Sequence, residues 1–244
     1  MPEIPDLTDP RYRDEVGWFL YHERYGREIF GGSYDEERIA YSRLLLEKVL
    51  SSINRDLRWL SDKTVVSVGC GCTGDLVGFP SAMKICIDPL LYTYQKLGML
   101  MADQVGGRTF YLSLGAENLP LLDDFVDLII CRNALDHMHE PELALAEFRR
   151  TLKNDGALFA SVDIGGEPTP DEPTVFSVEG LRVALEKHFE ILTFADDFRP
   201  HSEGRVCRTI AVARKKPGPD HRLDRDAILR AYQSHLSDAT NVAE

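Results

Sequence analysis

Between Asp35 and Ile53 the apolar residues Ile39, Leu46, Val49, Leu50 and Ile53 fall at helical spacing. That spacing gathers them on one face of a helix, and Asp35 is placed to cap its start. Residues 1–62 as a whole read as polar, aromatic-rich and mostly helical. From residue 64 the pattern changes to short β-rich runs that alternate with helical ones. Strands are expected at Thr64–Gly69, Met83–Ile87, Thr109–Leu112, Val126–Cys131 and Gly156–Val162. Helices are expected at Leu90–Ala102 and Glu142–Leu152, the second with Leu145, Phe148 and Leu152 on one face. The run Val126-Asp127-Leu128-Ile129-Ile130 is nearly all apolar, as in a strand covered on both sides.

The last third reads differently. Val178–His188 has a helical pattern, and Phe189–Ala195 and Val206–Ala213 follow as two strands with no helix between them. Such a pair runs antiparallel at a sheet edge, whereas βαβ alternation implies a parallel sheet with helices on both faces. The expectation is an α/β fold, with an N-terminal helical cap over residues 1–62 and the sheet domain over 63–215. A polar tail over 216–244 carries one helical pattern, Leu223–Leu236.

Composition narrows the function classes. The 244 residues are 43% hydrophobic and 28% charged, which excludes disorder of the whole chain. The net charge of −12 and the pI near 5.1 speak against a nucleic-acid partner and against an anionic membrane surface. No apolar run approaches the length of a membrane span. The start, Met1 to Asp6, lacks the basic and apolar regions of a signal peptide, so a cytoplasmic location is expected. The five cysteines are read as reduced thiols. Cys70 and Cys72 have no second Cys/His pair at zinc spacing, and no metal site is expected.

Candidate chemistry begins at Val65-Val66-Ser67-Val68-Gly69-Cys70-Gly71-Cys72-Thr73-Gly74, a strand running into a glycine turn. Glycines let the backbone turn tightly and let a ligand approach. Asp88 ends the next strand, where a carboxylate can accept hydrogen bonds from ribose hydroxyls. Gly69, Gly71 and Gly74 have the literal dinucleotide spacing, so an NAD(P)-dependent oxidoreductase is one reading.

The segments downstream bear on the choice of cofactor. Ala116-Glu117-Asn118-Leu119-Pro120 precedes Phe125-Val126-Asp127-Leu128-Ile129-Ile130-Cys131. Asn133-Ala134-Leu135-Asp136-His137-Met138-His139-Glu140-Pro141, Glu147-Phe148-Arg149-Arg150-Thr151-Leu152 and Gly156-Ala157-Leu158-Phe159 follow in order. In this order the chain, over about residues 60 to 214, resembles the Rossmann-like, class I S-adenosylmethionine-dependent methyltransferases of the small-molecule type. The resemblance implies a three-layer sandwich around a mostly parallel seven-stranded sheet that ends in an antiparallel strand pair. It implies S-adenosylmethionine as cofactor and S-adenosylhomocysteine as product. Carried over by position, Gly69, Gly71 and Gly74 line the cofactor, Asp88 holds the ribose, Ala116 and Glu117 meet the adenine, and Asn133 and Ala134 lie at the methionine end. Ser67 stands where the family usually has an acid, and Gly115 where an Asp is common. The first helix reads as short because Gly78-Phe79-Pro80 interrupts it, and Asn154-Asp155-Gly156 reads as a turn.

Methyl transfer to a hydroxyl needs a base. His137, just past the fourth strand, is the candidate, and Asp136 is placed to orient it or to face the substrate. His22 and Glu23 are secondary candidates. Absence of an Asn/Asp-Pro-Pro-aromatic motif after that strand, with the acidic pI, favours a small metabolite or saccharide acceptor. Trp18, Phe19, Tyr21 and Tyr25 read either as an aromatic lid or as a packing face. The loop Ile164–Thr174 and the link Asp196–Glu203 are the other candidate covers. A homodimer is left open. So is a non-catalytic scaffold of the same fold, which the Ser67 and Gly115 departures would suit.

Overall fold

The computed structural model describes residues 7–30, 34–72, 75–100, 107–197 and 207–216, with side chains except at 11, 22–30, 34–38, 41, 196–197 and 207–210. The tail helix expected at Leu223–Leu236 lies outside the described residues, as does most of the link Asp196–Glu203. Two helices open the chain, α1 (Pro10–Phe30) and α2 (Tyr34–Ser52), and a short 3-10 helix follows at Leu57–Asp62. Then come β1 (Thr64–Val68), β2 (Met83–Ile87), α3 (Leu91–Lys96), β3 (Arg108–Leu112), β4 (Val126–Arg132) and α4 (Pro141–Thr151). The described chain ends with β5 (Leu152–Ile164), α5 (Val178–Glu186), β6 (Phe189–Asp197) and β7 (Cys207–Lys215).

The seven strands form one sheet in the order β3-β2-β1-β4-β5-β7-β6. β1 pairs parallel with both β2 and β4, β2 with β3, and β4 with β5. β7 is antiparallel to both β5 and β6, as the helix-free ending predicts. Alternation along the strands splits the core into two layers. Val66, Val68, Ile129 and Cys131 face α4 and α5 through Leu145, Phe148, Leu181 and Leu185. Val65, Leu128 and Ile130 face α2 through Leu45, Leu46, Val49 and Leu50. The expected three-layer sandwich is therefore present, with α2 as part of one covering layer.

Four local expectations change. α2 starts at Tyr34, so Asp35 lies inside its first turn rather than at the cap. α3 ends at Lys96, because Gly98 turns the chain at a φ of 71°. Residues 75–78 are turns, and no helix occurs between β1 and β2 among the described residues. Asn154-Asp155-Gly156 is extended within β5, opposite the register shift between Val126 and Leu128. Among the described residues no helix is long and apolar enough to cross a membrane.

Candidate active site

The chain order of the sheet reverses at β1, whose neighbours β2 and β4 lead in opposite directions. In open α/β sheets such a switch point opens a crevice beyond the carboxyl ends of the strands. The turn after β1 enters it. Gly69 and Gly71 have φ values of 66° and 60°, a conformation open to glycine at little cost. A side chain at Gly69 would overlap the Cβ of Ala134, so the loops after β1 and β4 touch there. Gly74 lies outside the described residues.

Asp88 follows β2 directly and is buried. Its Oδ2 accepts from the Gly71 N–H at 2.9 Å and its Oδ1 from the Leu90 N–H at 2.8 Å. Burial pushes its carboxyl above the usual range, opposed by those two backbone bonds and by His137. The Ser113 hydroxyl donates to the Pro89 carbonyl at 2.9 Å and accepts from the Tyr92 N–H at 3.2 Å. This ties the loop after β3, which carries Ala116 and Glu117, to the Asp88 turn. A Cβ on Gly115 would lie 2.5 Å from Oε2 of Glu117, so the carboxylate of Glu117 fills the space a side chain at position 115 would take. The Arg150 guanidinium holds the same loop through the Leu119 and Leu121 carbonyls, Asp123 and Glu147.

Ser67 has a carboxylate beside it after all. Its hydroxyl donates to Oδ2 of Asp75 at 3.4 Å, and Arg132 of β4 donates to Oδ1 at 3.0 Å. Sequence reading missed Asp75, since it lies beyond the glycine turn rather than on β1.

The other rim of the crevice follows β4. Asn133 has a φ of 50°, Ala134 and Asp136 are buried, and His137 is partly exposed. The loop after β5 folds onto this segment. Thr174 donates its N–H to the Asp136 carbonyl at 3.1 Å and its hydroxyl to the Met138 carbonyl at 2.8 Å. That seats Glu172, whose Oε1 lies 3.6 Å from Nε2 of His137, an electrostatic contact beyond hydrogen-bond range. Donor atoms of Asp136, His137 and Glu172 all lie within 4.8 Å of one another. The set could hold a proton or a cation; the sequence reading, which weighed Asp136 and His137 with Asp163 and expected no metal, did not bring in Glu172. Asp163, next to last in β5, is buried.

α1 packs onto the turn after β1 and onto α3. Val16 and Phe19 are buried against Cys72, Leu90, Tyr94 and Met99, with Tyr12 beside them. The Phe19 ring stands edge-on to Tyr94 at 5.5 Å between centroids and sits on Gly71, where a Cβ would come within 2.6 Å of its Cζ. Of the aromatic group, Phe19 packs inward and Trp18 and Tyr21 are exposed, while the side chain of Tyr25 lies outside those described. His22 and Glu23 lie in α1 with side chains outside those described. The same face of α1 carries Glu15, one turn before Phe19, which sequence reading missed. Its carboxyl is pushed up to about 7, chiefly by burial and then by the anions Asp88, Asp171 and Asp136, with His137 opposing. Burial raises the phenol of Tyr94, and the charges of Asp88 and Glu15 add to the rise. Its hydroxyl has no hydrogen-bond partner among the described residues.

A sheet of this order with β7 reversed, a glycine turn after β1 and an acid after β2 is the Rossmann-like fold of the class I S-adenosylmethionine-dependent methyltransferases. Residues 66–160 match the family model described as a methyltransferase domain, and the cofactor of this family is S-adenosylmethionine. Solved structures agree in fold. The [4+2]-cyclase SpnF superposes with a TM-score of 0.53 at 19% identity, over 72% of this chain and 81% of that one. The 1,6-didemethyltoxoflavin-N1-methyltransferase of Burkholderia thailandensis, with bound 1,6-didemethyltoxoflavin and S-adenosylhomocysteine, gives 0.52 at 16%, over 88% and 93%. A search of curated proteins finds no match.

Proposed function

We propose that this protein transfers a methyl group from S-adenosylmethionine to a hydroxyl of a small molecule, with His137 as the base. The observation that carries this reading is the meeting of Gly71, Asp88 and His137 at one switch-point crevice. The residues present fit the cofactor. Each oxygen of Asp88 uses one lone pair on a backbone N–H and keeps another for a ribose hydroxyl. Glu117, folded over Gly115, offers an acceptor to the adenine amine. Asp75 supplies the anion expected at Ser67 for the methionine end, shared with Arg132. The orphan Tyr94 hydroxyl is a buried donor beside Asp88 and Glu15. These positions also answer the two departures, Ser67 and Gly115, that suited a non-catalytic scaffold.

When bound, the cofactor supplies an electrophilic methyl group. His137 takes the proton of the acceptor hydroxyl, and Glu172, 3.6 Å away, stabilises the imidazolium that results. The 3-D neighbours that act on small molecules support an acceptor of that size, as 1,6-didemethyltoxoflavin is for the Burkholderia enzyme. The test pairs calorimetric titration with S-adenosylhomocysteine and an acceptor screen read by S-adenosylhomocysteine release. His137→Asn is expected to bind S-adenosylhomocysteine as the parent does while turnover drops ~10²–10⁴-fold. Undiminished turnover removes His137 as base, and failure of the parent protein to bind either adenosyl compound removes the whole reading.

A further inference from the structure

We propose that Glu15 is the residue by which α1 tells the charged methyl donor from its uncharged product. The inference rests on the cofactor reading above and deepens it. Three observations place Glu15 for this role. Its helix is anchored on the cofactor turn itself, through Phe19 against Gly71 and Tyr94. Glu15 lies one turn from that anchor on the same face, beside the buried Val16. Its charge is coupled to groups from four elements around the crevice: Asp88 after β2, Tyr94 of α3, Asp136 and His137 after β4, and Asp171 after β5.

Asp88 marks the ribose end of the crevice and His137 the acceptor end. A carboxylate that feels both ends also feels the charge carried between them. The donor brings a sulfonium cation to that position, and the product brings a neutral thioether. Of the groups acting most strongly on Glu15, only His137 can be cationic, and three are anions. Seating ionised Glu15 is therefore costly with the crevice empty or product-filled and favoured with the donor present. Burial and the like charges hold its carboxyl near pH 7, so the discrimination is expected to grow as pH rises through that value. After transfer the sulfonium charge is gone, α1 loses that attraction, and the product is released more readily.

The test measures the ratio of dissociation constants for S-adenosylhomocysteine and S-adenosylmethionine by calorimetry at pH 6 and pH 8. No acceptor is needed. In the parent protein the donor is expected to bind about tenfold tighter than the product at pH 8, with a smaller ratio at pH 6. Glu15→Gln is expected to bring the pH 8 ratio close to one by weakening the donor, and Glu15→Asp to retain part of the preference. The nitrogen analogue with a protonated amine in place of the sulfonium is expected to follow the donor. If both ligands bind and the ratio is the same in the parent, Glu15→Gln and Glu15→Asp, the role of Glu15 is overturned and the cofactor reading stands. If neither ligand binds the parent protein, the cofactor reading falls and takes this inference with it.

Discussion

Gly71→Ala probes the contact that joins α1 to the cofactor turn. Gly71 has a φ of 60°, and a Cβ there would lie 2.6 Å from Cζ and 3.3 Å from Cε2 of Phe19. Two costs follow. The left-handed conformation costs an alanine ~1–2 kcal/mol whatever surrounds it. The overlap, about 1 Å short of ordinary carbon–carbon contact, adds ~1–3 kcal/mol of overpacking. Together they predict a loss of about 2–5 kcal/mol in urea unfolding. Phe19→Leu separates the two parts, since it removes the ring atoms the new methyl meets. Alone it costs ~1–2 kcal/mol as a buried side chain loses volume. In its background Gly71→Ala is expected to cost only the backbone part, a coupling of about 1–3 kcal/mol in the double-mutant cycle. Strict additivity within ~0.5 kcal/mol would refute the seating of Phe19 on Gly71, and with it the placement of Glu15 over the crevice.

Further expectations concern charge. Asp88→Asn turns one acceptor oxygen into a donor against the Gly71 or Leu90 N–H, so it should cost ~1–3 kcal/mol in stability. It should also weaken S-adenosylhomocysteine binding roughly tenfold or more by calorimetry, and unchanged affinity in a folded variant would remove Asp88 from the cofactor site. Glu15 is raised from 4.5 to about 7 in the folded protein, so the native state binds its proton more tightly than the unfolded chain. Its contribution is fully present below pH 4.5 and is lost as pH rises through 7, by up to ~3 kcal/mol. Glu15→Gln should flatten the stability profile across that window, and an unaltered slope in urea titrations at pH 5 and pH 8 counts against the buried carboxyl. Arg150→Met should cost ~1.5–3 kcal/mol and loosen the loop carrying Glu117, read as faster amide exchange at Leu119.

The strands were legible because β-branched, apolar runs bounded by turns leave little choice of register. β2 starts and ends as read, and β4 differs by one residue. β5 begins four residues before its expected start, since Lys153-Asn154-Asp155 carries turn chemistry while pairing across a register shift. α3 was read too long because its apolar pattern continues past Gly98, whose backbone turns instead. The glycine turn and Asp88 announce themselves by order along the chain. Glu15, Asp75, Glu117 over Gly115, and Glu172 do not. Each acts through a neighbour brought close by the fold: Glu15 feels the charge of His137 across more than a hundred residues of sequence. Local spacing holds no trace of such a pairing. The charge at the crevice was therefore hidden in the sequence, although the scaffold that assembles it was plain.

α1 packs against α2 and, through an apolar cluster of its own, Val16 and Phe19 meet Cys72, Leu90, Tyr94 and Met99. Among the described residues, neither of the two larger clusters that sandwich the sheet contains a residue of α1. The apolar packing of α1 is thus distinct from the two layers that sandwich the sheet. On the proposed function, substitutions on the inner face of α1 reshape the crevice while the two layers of the sheet keep their own packing. A descendant with a different small-molecule partner could then arise by exchange of this one helix, the sheet and its cofactor turn passing to it unchanged.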